Sequence, residues 1–354
     1  MLQLQYIILY GLKQLNGERT SASIYHLLKG KRSSQTLQDG KIYHISFLFG
    51  LFKKMERHDY DKQINTLLNE KCIKKIQENT YLITSVGEEE LIYYAKKYPL
   101  PQSLDGLRFA DTGEVFWKRL SLLIQTLSHL QNGKRSFSPV QQDIAVTSWT
   151  KQFLINNPYK KEKLSYDIYE ECRHLLSSMG EVEATIFVLR LSRYGRVGLT
   201  IEQIASMLSL EAPRTYILFL SILHAMLAAI EEQPDNYPLL RVVVPNDNNP
   251  FPTLSHSTQK TYLLLQQGRR MEEIARMRNL KMNTIEDHIV EIAFNDPSFI
   301  IETFVSDKKR KKIIEIATRL QTKKLRQLKK HLGEDVQYFE IRLVLAKLGG
   351  DYEA

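Results

Sequence analysis

The stretch Ser255–Phe294, SHSTQKTYLLLQQGRRMEEIARMRNLKMNTIEDHIVEIAF, scans as three short helices at helix-turn-helix spacing. Thr258–Gln267 is the first, with Tyr262, Leu263 and Leu265 apolar and Gly268 as its stop. Met271–Met277 is the second. Ile274 and the small Ala275 face inward there, and Ala275 lets the next helix approach closely. Asn279 stands where the turn needs a residue tolerant of positive φ, and Leu280 plugs the turn. Asn283 or Thr284 is expected to cap the third helix, with Glu286 or Asp287 three residues on as in a capping box. Ile285 and Ile289, four apart, fall on one buried face.

Working outward, 354 residues at 43% hydrophobic content suffice for two or three domains with real cores. Apolar runs stay short of 18 residues; the most apolar window, Tyr216–Ile230, contains His224. The opening MLQLQYIILYGL lacks a basic segment and a small-residue cleavage site, so neither a signal peptide nor a membrane span is expected. The two cysteines, Cys72 and Cys172, stand far apart without ligand-like neighbours, which excludes a cysteine-based zinc site and fits a reducing cytoplasm. The net charge of +9 is uneven. Residues 1–98 carry 15 basic and 10 acidic side chains, residues 99–254 carry 15 and 16, and residues 255–354 carry 19 and 14. Two basic ends flank a neutral middle, a distribution that suits two nucleic-acid-facing modules around a different sort of part.

In residues 1–98, a helix at Leu2–Leu15 stops near Asn16–Gly17, and Thr20 or Ser21 can cap the next, Ala22–Leu28. A basic turn, Lys31–Ser34, and the apolar Ile45–Phe52 follow; Asp59 can cap a helix over Tyr60–Asn69. Cys72–Ile76 and Tyr81–Thr84 alternate as two strands about Glu78–Asn79–Thr80, before a closing helix that runs through Tyr94. Helices followed by a short hairpin make a winged helix. Lys74 and Lys75 on the hairpin are candidate DNA contacts.

In residues 99–254, helices are predicted at Val115–Leu130, Ala145–Ile155, Ser165–Ser177, Val182–Ser192, Ile201–Leu208 and Pro213–Ile230. The last three echo a helix-turn-helix, with Thr200 as cap, Ala205 as the small residue and Leu210 as plug. The final helix is apolar nearly all round, which fits burial or a partner and not DNA. Glu231–Ser255, with five prolines, is expected to be a linker holding one strand at Leu239–Val244.

In residues 255–354, Asp307–Lys330 holds eleven basic residues and two acids. Lys308, Lys309, Arg310, Lys311 and Lys312, and then Lys323, Lys324, Arg326, Lys329 and Lys330, are expected on helices whose apolar positions include Ile313, Ile316, Leu320 and Leu328. So dense a single-signed run favours phosphate contacts. Val336–Leu348 closes the segment. The predicted recognition helix carries Glu286, Asp287 and Glu291, which repel phosphates, while Arg269, Arg270, Arg276, Arg278 and Lys281 flank it. Asn283 and Thr284 at its start complete the candidate DNA-binding set. Sequence-independent backbone contact is therefore expected over base readout.

The motifs also carry a resemblance. Leu28–Lys29–Gly30, Gly40–Lys41 through Phe49–Gly50, Ile64–Leu68 and Tyr81–Gly87 stand in the order of motifs in the winged-helix (RQC) domain of RecQ-family helicases. Lys41 replaces the family histidine, and Lys71–Cys72–Ile73 replaces Gly-Tyr-Leu. That family's wing can use an aromatic to part a duplex, and Tyr81 is the nearby candidate. Met271–Ala275, Thr284–Glu291 and Tyr338–Lys347 resemble the helix-turn-helix domain appended to some bacterial RecQ-type helicases. Together the chain resembles the YpbB family, a detached RecQ tail. The resemblance implies an accessory partner of a RecQ-type helicase motor, working on DNA in repair and recombination at the nucleoid.

No phosphate-binding loop, GxSxG, HExxH or CxxC occurs, and the nine histidines show no ligand spacing. Neither catalysis, a cofactor nor a metal is expected. The fold expected is mainly α: an N-terminal winged helix with a short β-hairpin (1–98), a helical middle ending in a Pro-rich linker (99–254) and a C-terminal helix-turn-helix domain (255–354). Two functions remain open, a helicase accessory subunit and a free-standing helix-turn-helix regulator.

Overall fold

The computed structural model describes residues 2–245, 254–320, 322 and 324–348. Apolar spacing builds α1 (Gln3–Leu15), which buries Ile7, Ile8, Leu12 and Leu15 and ends where Asn16 and Gly17 adopt positive φ. In α2 (Ala22–Leu28), Ser21 holds the N-cap position without a side-chain bond; its carbonyl accepts the Tyr60 hydroxyl at 2.7 Å instead. The segment after the basic turn forms α3 (Ser34–Ile42), a helix the apolar pattern does not announce. Ser33 caps it by accepting the Thr36 N–H at 3.3 Å. Ile45–Phe52 contains only a 3-10 turn at Ser46–Leu48. α4 (Arg57–Asn69) begins before Tyr60, so Asp59 lies in its first turn and does not cap it. β1 (Ile73–Gln77) and β2 (Thr80–Ile83) pair antiparallel, with Lys75 opposite Tyr81, around Asn79 at φ 54°. α5 (Ser85–Lys97) closes the segment.

The middle comprises α6 (Gly106–Gln131), α7 (Ile144–Asn156), α8 (Lys161–Ser177), α9 (Glu181–Arg190), α10 (Ile201–Met207), α11 (Ala212–Glu232) and α12 (Pro238–Val243). Its core gathers Phe116, Trp117, Leu120, Phe187, Phe219 and Met226, with Trp117 edge-on to Phe219 at 4.8 Å. By length and composition α11 is long and apolar enough to cross a membrane, yet Ile217, Ile222, Met226 and Ile230 lie inside this core. Its His224 is buried and accepts the Asp105 N–H at Nδ1, 3.0 Å away. The strand expected at Leu239–Val244 is a helix, α12. Pro238 pre-sets its first turn, and the Glu171 carboxylate accepts the N–H groups of Leu239 and Leu240 at 3.1 and 2.8 Å.

The C-terminal segment forms α13 (His256–Gln266), α14 (Met271–Met277), α15 (Met282–Asn295), α16 (Asp307–Leu320), α17 (Leu325–Leu332) and α18 (Tyr338–Lys347). Ile274, Ile285, Ile289, Ile313, Leu328 and Ile341 make its core. Contacts divide the chain into two compact units. One is Met1–Leu4 with Tyr94–Asn248; the other is Gln5–Tyr93 with Asn249–Ala354. The two basic ends thus share a unit, in which α3 packs against α15 and α18.

Candidate nucleic-acid interface

The helix-turn-helix forms as its spacing requires. Ser255 caps α13 by accepting the Thr258 N–H at 3.2 Å, and Gly268 ends the turn beyond it at φ 78°. Asn279 takes φ 50° in the next turn, and Leu280 donates its N–H to the Ala275 carbonyl at 2.9 Å while its side chain joins the core. The start of α15 differs from expectation. Lys281 holds the N-cap position, and neither Asn283 nor Thr284 caps the helix. A helix beginning at Met282 leaves both inside its first turn, where their backbone is already helical.

The acids of α15 also sit differently from expectation. Glu291 is 1% exposed and points inward; it accepts the Ser255 N–H and the hydroxyls of Ser255 (3.3 Å) and Thr258 (2.7 Å). Burial raises its pKa above the usual carboxylate value, opposed by these donors. Asp287 pairs with Arg342 of α18, whose Nε also donates to Gln38 of α3 at 3.3 Å. Glu286 is half-buried, with its pKa raised by burial. Glu291 and Asp287 thus serve the fold through their partners, Glu291 from inside and Asp287 from a part-exposed position. Covered by α3, α13, α14 and α18, α15 keeps only Asn283 exposed among its residues.

The candidate cations fall into two groups. Arg269, Arg270, Arg276, Lys281, Lys308, Arg326 and Lys330 are exposed on the helix-turn-helix segment, and Lys74 and Lys75 on the hairpin. Others are engaged. Arg278 donates to the Ser257 carbonyl (2.8 Å), the Ser257 hydroxyl (2.9 Å) and Thr261 Oγ1. Lys309 grips Glu340 at 2.8 and 3.0 Å, and Arg310 and Lys311 pair with Asp307 at 3.0 and 2.8 Å. Lys312 donates to the Leu332 carbonyl at 2.9 Å, and Lys329 to the carbonyls of Gly333, Glu334 and Val336. Lys324 is half-buried at the N-cap of α17, and Thr284 is half-buried in α15. Lys323 lies outside the described residues. Tyr81 is 7% exposed, a core ring on β2 and not one presented at the hairpin.

Sequence reasoning missed exposed Arg319 on α16 and a cleft of about 680 Å³ lined by Tyr262, Arg269, Arg270, Phe299 and Phe304. The only signal for the cleft was a pair of phenylalanines in a loop without periodicity.

Residues 257–345 match the family model of a helix-turn-helix domain, a module class that binds DNA. Across 348 residues, 98% of this chain and 98% of the relative, the sequence is 34% identical to protein YpbB of Bacillus subtilis (strain 168). No solved structure matches the chain significantly.

Proposed function

The chain belongs to the YpbB family, and from that premise we infer a non-catalytic, DNA-binding accessory subunit of a RecQ-type DNA helicase, acting in repair and recombination at the cytoplasmic nucleoid. It meets DNA, duplex or junction, mainly through the phosphate backbone, using the exposed cations of the 1–98 and 255–354 segments. The observation that carries this reading is the enclosure of α15. A helix with one exposed residue, Asn283, has too few free side chains to read a row of base edges. The arginines and lysines beside it keep their reach to phosphate.

The helicase-binding surface is assigned to the neutral 99–254 segment. On α8, Tyr166 and Tyr169 are 62% and 59% exposed and adjoin Arg173, and Ile144 and Ile155 at the two ends of α7 are 82% and 69% exposed. Tyrosine and arginine dominate the energetic centres of protein interfaces. The alternative, a free-standing regulator, requires a strong preference for one duplex sequence.

Selection from random duplex DNA is expected to enrich no sequence; a strong consensus would establish the regulator instead. Capture of the full chain from native lysate is expected to bring down a RecQ-type motor, and Tyr166→Ala with Tyr169→Ala to lose it at unchanged DNA affinity. The purified chain should turn over no ATP through every column step.

A further inference from the structure

The loop between α15 and α16 gathers aromatic rings beside two arginines. Phe299 stacks on Phe304 with centroids 5.8 Å apart and planes at 22°. Tyr262 meets Phe299 edge-on at 5.9 Å, and Phe339 backs Phe304 edge-on at 6.3 Å. Tyr262, Phe299 and Phe304 line the 680 Å³ cleft, and Ile300, 67% exposed, stands at its lip. Arg269 and Arg270 line it too. Both are exposed, and neither guanidinium has a carboxylate partner among the described residues.

We infer that this cleft receives an unstacked base of single-stranded DNA, with the flanking phosphates on Arg269 and Arg270. The inference rests on the DNA-binding reading above and adds a strand preference to it. The cleft lies within the size range of small-ligand pockets, ~300–1,000 Å³. Its half-buried phenylalanines offer a surface that any base can stack on. Gln266, Glu272 and Thr303 supply donors and acceptors for base edges. Asp296, the other acid there, already accepts from the Tyr262 hydroxyl and from Ser298 Oγ at 2.6 Å. A paired duplex keeps its base faces covered, so only an unpaired strand can fill the site. An apolar peptide would fill the wall and leave both guanidinia unpaired.

The test uses the full chain and three fluorescein-labelled probes of equal length: oligothymidine, an abasic strand and a duplex. Wild type should bind oligothymidine more tightly than the abasic strand. Phe299→Leu, which keeps an apolar group but removes the ring, should weaken oligothymidine about tenfold, or ~1.4 kcal/mol, and spare the other two probes. Ile300→Asn, at a position 67% exposed and outside the buried core, should weaken it about threefold through lost apolar contact. Arg269→Ala with Arg270→Ala should weaken oligothymidine and the abasic strand alike. Equal binding of those two strands by wild type overturns the inference, as does an Ile300→Asn variant with wild-type oligothymidine affinity. Loss of motor capture by Ile300→Asn, with all probes bound normally, would assign the cleft to a protein. Failure of wild type to bind any probe would remove the DNA-binding reading itself.

Discussion

Arg278 shows how one side chain can be sorted by its partners. An arginine beside a recognition helix suggests a phosphate contact, but this half-buried fork ties α14 to the start of α13. Arg278→Ala should cost about 1–3 kcal/mol of stability by leaving partners unsatisfied. Urea unfolding should register that loss, while the salt dependence of DNA binding stays put. His288 is a second case. It is buried against Thr261 (Nδ1 to Oγ1, 2.8 Å), with Arg278 and Asp287 nearby, and burial followed by the Arg278 charge lowers its pKa to about 4. Burial lowers His224 to about 4 as well. Between the unfolded value of 6.5 and about 4, the unfolded chain holds more protons, so stability is full above pH 6.5 and falls as pH drops through that window. Glu291, raised by burial, acts oppositely as pH rises above the ordinary glutamate value. Urea midpoints taken from pH 7 to 4.5 should decline, and His288→Gln should flatten the decline. None of this network could be read from the chain alone, because an acid or histidine between apolar residues on a helix does not announce which way it points.

Among elements, those with strong apolar periodicity were legible: α1, α4, α8, α11 and the hairpin lie close to where the spacing puts them, whereas α6 covers the expected stretch but begins at Gly106, ahead of the expected Val115. α3 was not, because its sequence, SQTLQDGKI, has little apolar period; its burial comes from α2, α15 and α18. α12 was misread because a short β-branched run fits strand and helix equally until Glu171 caps it. The glycines of the motif run have packing reasons. At Gly30, with φ 71°, a Cβ would lie 3.1 Å from the Gly50 Cα, and at Gly87 it would lie 2.1 Å from the Cys72 carbonyl oxygen. Gly87→Ala must therefore move a backbone, at a cost of about 1–3 kcal/mol, read as a lower thermal midpoint. On α16, Lys308 is exposed whereas Lys309 holds Glu340 of α18. Lys308→Ala should flatten the slope of log affinity against log salt by about 0.7–0.9, and Lys309→Ala should chiefly lower stability. Equal slope changes for the two would show that the Glu340 pair opens readily on DNA.

For the whole molecule, the basic ends and neutral middle were plain from composition, yet the sharing of one unit by both ends was not. Pairings such as that of Arg342 with Gln38, 304 positions apart, leave no local periodicity to read. That arrangement bears on how the chain is made. Residues 5–93 emerge from the ribosome before the rest of their unit, but α3 has little helical drive of its own and owes its burial partly to α15 and α18, which are synthesised some 240 or more residues later. The 94–248 unit can complete its own core meanwhile, since every residue of that core precedes residue 248. Folding of the first segment must then wait for the last, after closure of a long loop whose entropic cost grows only logarithmically with length. Pulse-labelled hydrogen exchange should find amides of α11 protected before those of α3; simultaneous protection would mean that the ends meet without the middle. A nascent chain stalled just short of α15 would carry a finished middle and an N-terminal segment still open to proteases and chaperones.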